Sequence, residues 1–111
     1  MVSENSSVAL CLPARNEWQS LQLLLPQIAA VNEEWDSVDL HVVVFDDAST
    51  DGTASHLGAY PSSGFTLSVV RSPSPVGKTP ALAVAFRYAR DEGAEYIFMM
   101  DADGQDDPRY L

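Results

Sequence analysis

The chain has 111 residues, 46% of them hydrophobic, with a formal charge of −10 at pH 7. That length is one domain or part of one, and the apolar content excludes a disordered chain. The acid excess excludes nucleic-acid binding through a basic surface and opposes adhesion to an anionic bilayer; the six basic residues, Arg15, Arg71, Lys78, Arg87, Arg90 and Arg109, form no patch.

Residues 1–7, polar and serine-rich, read as a disordered N-terminal tail, with residues 8–111 as the folded part. Val8 to Leu12 is a continuous apolar run of strand length, expected to end at Pro13 because proline cannot serve a central ladder. Continuous rather than alternating apolar character predicts a strand covered on both faces, as in parallel sheets. The lone cysteine, Cys11, lies inside this run, which reads as a buried, inert thiol. After the loop Pro13 to Glu17, Leu21, Leu24, Leu25, Ile28 and Val31 recur at helical spacing. They predict a helix from about Trp18 to Val31, kinked or split at Pro26. Asn32 to Asp36 reads as an acidic, solvated connector.

Leu40 to Phe45 is a second buried strand, running into Asp46-Asp47. A turn and a short helix to about Tyr60 follow, then a third, less buried strand over Phe65–Arg71. An irregular loop, Ser72 to Gly77, leads to a helix opening at Lys78 or Thr79 with Pro80 in its first turn. Leu82, Phe86 and Ala89 are its expected inner stripe, with Ala85 beside it, and Gly93 its stop. Tyr96 to Met100 is the fourth strand, and Asp107-Pro108 reads as a helix start. The alternation predicts an α/β, three-layer domain with a mostly parallel sheet and helices on both faces.

In such sheets ligands bind outside the carboxyl ends of the strands. Three loops should therefore meet on one edge: Arg15-Asn16-Glu17, Asp46-Asp47 and Asp101 to Gln105. Asp101 and Asp103 are two apart, on one side of an extended chain and roughly 6–7 Å apart at Cα. With Gln105 they offer three oxygen donors suited to Mg²⁺ or Mn²⁺ with positions left for phosphate; the plain alternative is a solvated acidic turn. Asp47 reads as a site carboxylate or as a helix cap. Lys78 and Arg15 read as partners for a diphosphate or for the carboxylates themselves, in Lys78's case through a local salt bridge. Asp47 to Gly52 imitates an EF-hand loop, but Gly58 stands where its twelfth-position Glu is needed. Gly77-Lys78-Thr79 imitates the end of a P-loop whose first glycine is replaced by Ser72. His41 and His56 lack metal-ligand spacing, and are expected on a strand face and a helix surface.

Four blocks, Leu12-Pro13-Ala14-Arg15-Asn16-Glu17, Val44 to Thr53, Val76-Gly77-Lys78 and Met100 to Gln105, carry a resemblance in their order and spacing. Together they resemble the nucleotide-binding half of the inverting glycosyltransferases of GT-A fold, family 2 type. The D-A-D-x-Q form is most similar to polyprenyl-phosphate (dolichyl-phosphate) sugar synthases. The resemblance implies a Rossmann-like nucleotide-binding half and a UDP- or GDP-sugar held through Mg²⁺ or Mn²⁺. It also implies sugar transfer with inversion, with a polyprenyl phosphate as acceptor. It places Pro13, Ala14 and Arg15 along the nucleobase and ribose, with Glu17 close by and Asp47 on base or ribose. Lys78, Asp101 and Ala102 complete the nucleotide set, and Asp101, Asp103 and Gln105 the metal set, with Asp103 and Gln105 bearing most of the metal contact. Arg15 stands where the family often carries an aromatic residue. Family members run further, so the acceptor half, any catalytic base and membrane-associated segments are expected beyond Leu111. For this segment a cytoplasmic location is expected, because no apolar run approaches the roughly 18 residues of a membrane span and no signal-peptide pattern opens the chain. The alternative from another class is a non-catalytic nucleotide-binding or assembly module, its uncovered sheet edge favouring homo-oligomers.

Overall fold

A computed structural model describes residues 6–35, 38–61 and 64–101. Four strands alternate with three helices: β1 (Ser6–Ala14), α1 (Trp18–Glu33), β2 (Val38–Asp47), α2 (Thr53–Gly58), β3 (Thr66–Ser72), α3 (Lys78–Asp91) and β4 (Tyr96–Met99). The strands form one sheet in the order β3-β2-β1-β4, and every neighbouring pair is parallel. The fold is the expected α/β sandwich of helices around a parallel sheet.

Alternate residues of β1 feed two different cores. Leu10 and Leu12 face Leu21, Leu24, Leu25 and Ile28 of α1 and Leu57 of α2. Ala9 and Cys11 face the opposite way, against Ala81, Ala85 and Ala89 of α3. One layer is filled by leucine; in the other, small side chains of β1 and α3 meet beside Val43 and Phe45 of β2. This corrects the expected stripe on α3 at Leu82 and Phe86, while Ala89 and Ala85 are buried as expected. Phe86 is exposed and Leu82 only half-buried, while the three alanines, four apart, are buried.

Four further expectations change. Ser6 and Ser7 belong to β1, pairing with Val38 and Asp39, so the tail expected over 1–7 gives up its last two residues; residues 1–5 lie outside the described residues. Pro13 does not end β1, which continues to Ala14. The Cys11 carbonyl accepts from Met100 N–H on the β4 side. Pro13, two residues on, turns its missing donor to that same side, past the end of β4, so no ladder bond to β2 is lost. Pro26 does not split α1, which is one helix to Glu33. Pro26 and Gln22, whose carbonyl its missing N–H would have served, are both exposed, so water can satisfy that group. The connector expected over Asn32 to Asp36 loses its first two residues, Asn32 and Glu33, to the last turn of α1, and Asn32 donates to the Gly64 carbonyl at 2.7 Å.

Chain order and spatial order part company at β1. The path β1, β2, β3 runs to one side, and α3 then crosses back so that β4 pairs with the other side of β1. The crevice between the carboxyl ends of β1 and β4 is a topological switch point, the usual ligand position in an open parallel sheet.

Candidate functional site

At that switch point a cavity of about 320 Å³ is lined by Pro13, Ala14, Arg15, Glu17, Asp47, Gly77, Lys78, Ala81 and Asp101. Seven of the eight nucleotide-binding residues expected from sequence stand here: Pro13, Ala14, Arg15, Glu17, Asp47, Lys78 and Asp101. The eighth, Ala102, lies outside the described residues, as do Asp103, Gln105 and the Asp107-Pro108 helix start.

The loops after β1 and β2 are tied to each other. Asn16 takes a left-handed backbone with φ of 54°, a conformation asparagine tolerates better than most residues. Its side-chain oxygen accepts from Thr50 N–H at 2.7 Å, Asp51 N–H at 3.2 Å and the Thr50 hydroxyl at 3.3 Å. Its own N–H donates to the Ser49 hydroxyl at 2.8 Å. Asp51 works in the other direction. One of its oxygens accepts from Trp18 N–H at 3.2 Å, filling the role that Glu17, at the N-cap, leaves open for α1. The other accepts from Thr53 N–H at 3.0 Å and from the Thr53 hydroxyl. Burial works against ionising Asp51, but the bonds from Thr53 and Trp18 outweigh it and hold the carboxyl below its ordinary value. The rings of Trp18 and His56 stack at 4.5 Å, joining the start of α1 to α2.

The two acidic residues at the end of β2 are strand residues, paired in register with Arg71 and Ser72, and both are buried. Their side chains point to opposite faces. Asp46 accepts from Ser49 N–H at 3.1 Å. Arg71 Nε stands 3.5 Å from its second oxygen, an ion pair without hydrogen-bond geometry, and Arg71 also donates to the Ser49 carbonyl at 3.1 Å. Asp47 accepts from Val76 N–H at 2.7 Å and Gly77 N–H at 2.9 Å, one on each oxygen. It therefore does not cap the helix that follows it, α2; it pins the loop that opens α3. Ala48, next to it, has φ of 58°, a left-handed strain of about 1 kcal/mol that the surrounding bonds hold in place.

Asp101 sits one residue past Met100, whose N–H is fixed on the Cys11 carbonyl at 3.0 Å. Its carboxylate faces Lys78 from the first turn of α3, and the two form an ion pair. Of the two readings of Lys78, the structure therefore shows the salt bridge. Asp101 is an anionic oxygen donor in an open cavity and already draws a cation, which fits a hard divalent ion. Among the described residues no group of three or more His, Cys, Asp or Glu could hold a metal, so a complete set would need donors from Asp103 and Gln105.

Asn16 was expected on this edge and Asp51 in a bond within its own turn, which Thr53 supplies; the long-range bonds of Asn16, Ser49, Asp51 and Arg71 were missed. Their partners lie 22 to 35 residues away in sequence, beyond any local pattern. Only asparagine in a turn after a strand hinted at a left-handed hub.

A larger cavity, about 540 Å³, opens at the other end of the strands beside Ser7, Asp39, His41, Phe65 and Glu92. None of the four sequence blocks reaches it. His41 Nε2 lies 2.7 Å from the Ser68 hydroxyl, which also accepts from Tyr88 at 3.3 Å. Burial pushes the His41 pKa down, with Glu92 opposing.

The family model described as glycosyl transferase family 2 matches residues 9–111. The chain belongs to glycosyl transferase family 2. Among curated relatives, an undecaprenyl-phosphate mannosyltransferase of Micrococcus luteus is 31% identical over 104 residues, covering 94% of this chain and 41% of the relative. A dolichol-phosphate mannosyltransferase of Mycosarcoma maydis is 28% identical over 109 residues, covering 96% of this chain and 36% of the relative. The chain thus spans about two-fifths of the length of the relatives it matches. Among solved structures, the mannosyltransferase PcManGT from Pyrobaculum calidifontis, in complex with GDP-Man and Mn²⁺, superposes with a TM-score of 0.70 and 32% identity. That match covers 91% of this chain and 28% of the other. S. aureus TarS shares the fold, with a TM-score of 0.71 at 23% identity over 87% of this chain and 16% of the other. This family 2 domain is therefore a glycosyltransferase domain of GT-A architecture by resemblance.

Proposed function

We propose that this family 2 chain carries the donor-binding half of an inverting glycosyltransferase that takes a nucleoside-diphosphate sugar with Mg²⁺ or Mn²⁺ and delivers the sugar to a polyprenyl phosphate. The observation that carries the reading is the cavity at the β1/β4 switch point, lined by two cations and three carboxylates from loops far apart in sequence. The relatives' mannosyltransferase names and the GDP-Man and Mn²⁺ of PcManGT favour a GDP-sugar.

Each group then has a part. Pro13 and Ala14 offer an apolar wall to the base, with Arg15 and Glu17 at its edge. Asp47 spends both oxygens on the 76–77 loop, and each keeps a lone pair that can accept from a base N–H or a ribose hydroxyl. Lys78 and Arg15 supply positive charge for the diphosphate. Asp101, Asp103 and Gln105 would hold the metal, which neutralises the diphosphate as it leaves. The acceptor oxygen attacks the anomeric carbon from the face opposite the diphosphate, the bond to the diphosphate oxygen breaks, and configuration inverts. A phosphate acceptor is already anionic, so this route asks for no strong base.

Calorimetry with GDP and UDP, each with and without Mn²⁺, tests the reading. Metal-dependent binding of one of them is expected, and Asp103→Ala abolishes it. A folded chain that binds no nucleoside diphosphate, or an Asp103→Ala variant that keeps Mn²⁺-dependent affinity, counts against it.

A further inference from the structure

We propose that Lys78 is a built-in counter-ion for Asp101, so that the divalent metal loads together with the nucleoside diphosphate and not ahead of it. The inference rests on the donor-site reading above and adds an order of events to it.

Three observations carry it. Lys78 Nζ pairs with Asp101 Oδ1 inside the cavity that both line. The two partners are held very differently. Asp101 follows a strand end fixed by the Met100 to Cys11 bond, and its side chain is 35% exposed. The Lys78 side chain is 60% exposed, on a flexible four-carbon stem, so its ammonium can swing away at little cost. Finally, the backbone from which that stem grows is fixed, because Asp47 holds the N–H groups of Val76 and Gly77 immediately before it. Lys78 is thus anchored at its root and mobile at its tip, within reach of Asp101.

An ammonium and a divalent ion cannot share one carboxylate oxygen at contact distance without repulsion. While Lys78 sits on Asp101, metal alone meets a carboxylate that already has a cation. A diphosphate entering the cavity offers Lys78 a further anionic partner. Lys78 then moves to phosphate oxygen, and Asp101 is left to the metal that the diphosphate also binds. Both carboxylate and phosphate charge stay paired throughout. By linkage, whatever the nucleotide does to metal affinity the metal does to nucleotide affinity.

The test is Mn²⁺ binding read from the electron paramagnetic resonance signal of free Mn²⁺, without and with GDP. Lys78→Met is expected to bind Mn²⁺ alone about three to five times more tightly than wild type, the worth of an exposed ion pair. The same variant is expected to bind GDP in the presence of Mn²⁺ about tenfold more weakly, having lost a charge-assisted phosphate contact. Lys78→Arg keeps the cation and the wild-type weakness for Mn²⁺ alone. Lys78→Gln repeats the measurement should the Met variant misfold. Unchanged or weaker Mn²⁺ binding by the neutral variants, with wild type still binding GDP and Mn²⁺ together, overturns the counter-ion role and leaves the donor site standing. Failure of wild type to bind any nucleoside diphosphate with Mn²⁺ sinks the donor site, and this role with it.

Discussion

Between β1 and β2 the rim of the sheet is sewn together through backbone N–H groups, whereas between α3 and β4 it is joined by an ion pair of partly exposed side chains. The first half spends Asn16, Ser49 and Asp51 on fixing two loops to each other. The second half leaves Lys78 and Asp101 facing a cavity. The difference separates two jobs that acidic and amide side chains do on one edge. Bonds to backbone set shape and are costly to break. An exposed ion pair contributes little to stability and is available for exchange with a ligand.

The contrast is broken most severely if changes in either half affect both stability and binding alike. Asp101→Asn is expected to lower Mn²⁺-dependent GDP affinity about 100-fold, since even a residue behind a metal ligand is worth up to that much. Its unfolding free energy should shift by less than about 0.5 kcal/mol. Calorimetry and thermal melts on one sample check both. Asn16→Ala should do the reverse. It loses three accepted hydrogen bonds and places alanine in a left-handed backbone. The expected cost is about 2–3 kcal/mol, a fall in Tm of about 10 °C. Asn16→Gly keeps the conformation and loses the acceptor, so it should fall between.

Asp51 gives a milder test of the same half. Its folded carboxyl lies below the ordinary value of 3.8, so the unfolded chain takes up a proton first. The stabilisation it contributes is fully present above that value and is lost as pH falls through the folded pKa. Acid titrations of wild type and Asp51→Asn should diverge above pH 4 and converge below it. The smallest expected signal comes from Cys11, whose thiol is fully buried and pushed up to about 11 by that burial. A thiol reagent at pH 8 should leave it unmodified in the native chain and label it on unfolding. Labelling in Asn16→Ala but not in Asp101→Asn would sharpen the contrast by showing which half keeps the sheet closed.

The sequence made the elements legible, because continuous apolar strands and a 3.6-residue helical period are local signals. It also made legible which strand ends would meet, since a parallel sheet puts them on one edge. It misled where two signals competed. Pro13 read as a stop because its side in the ladder depends on where β4 ends. Phe86 read as core because it falls on a helical stripe with Leu82 and Ala89, whereas the face that α3 turns to the sheet is the one carrying Ala81, Ala85 and Ala89. Asp47 was visible as a candidate site carboxylate, but its grip on Val76 and Gly77 was not, since those partners lie 29 and 30 residues on.

The pairing of β4 with β1 has a further meaning for how the sheet comes together in time. Ser7 and Glu95 bond across 88 residues of sequence, while β1, β2 and β3 need only their short crossovers. Closing so long a loop costs chain entropy before any contact rewards it. The three-strand portion therefore can assemble while β1 keeps one flank bare, and the last seam to form is the one beneath the cavity. The cavity at the β1/β4 switch point is accordingly expected among the latest parts of the described fold to form, and a chain stalled before Tyr96 would have a core without Asp101 on that cavity's wall.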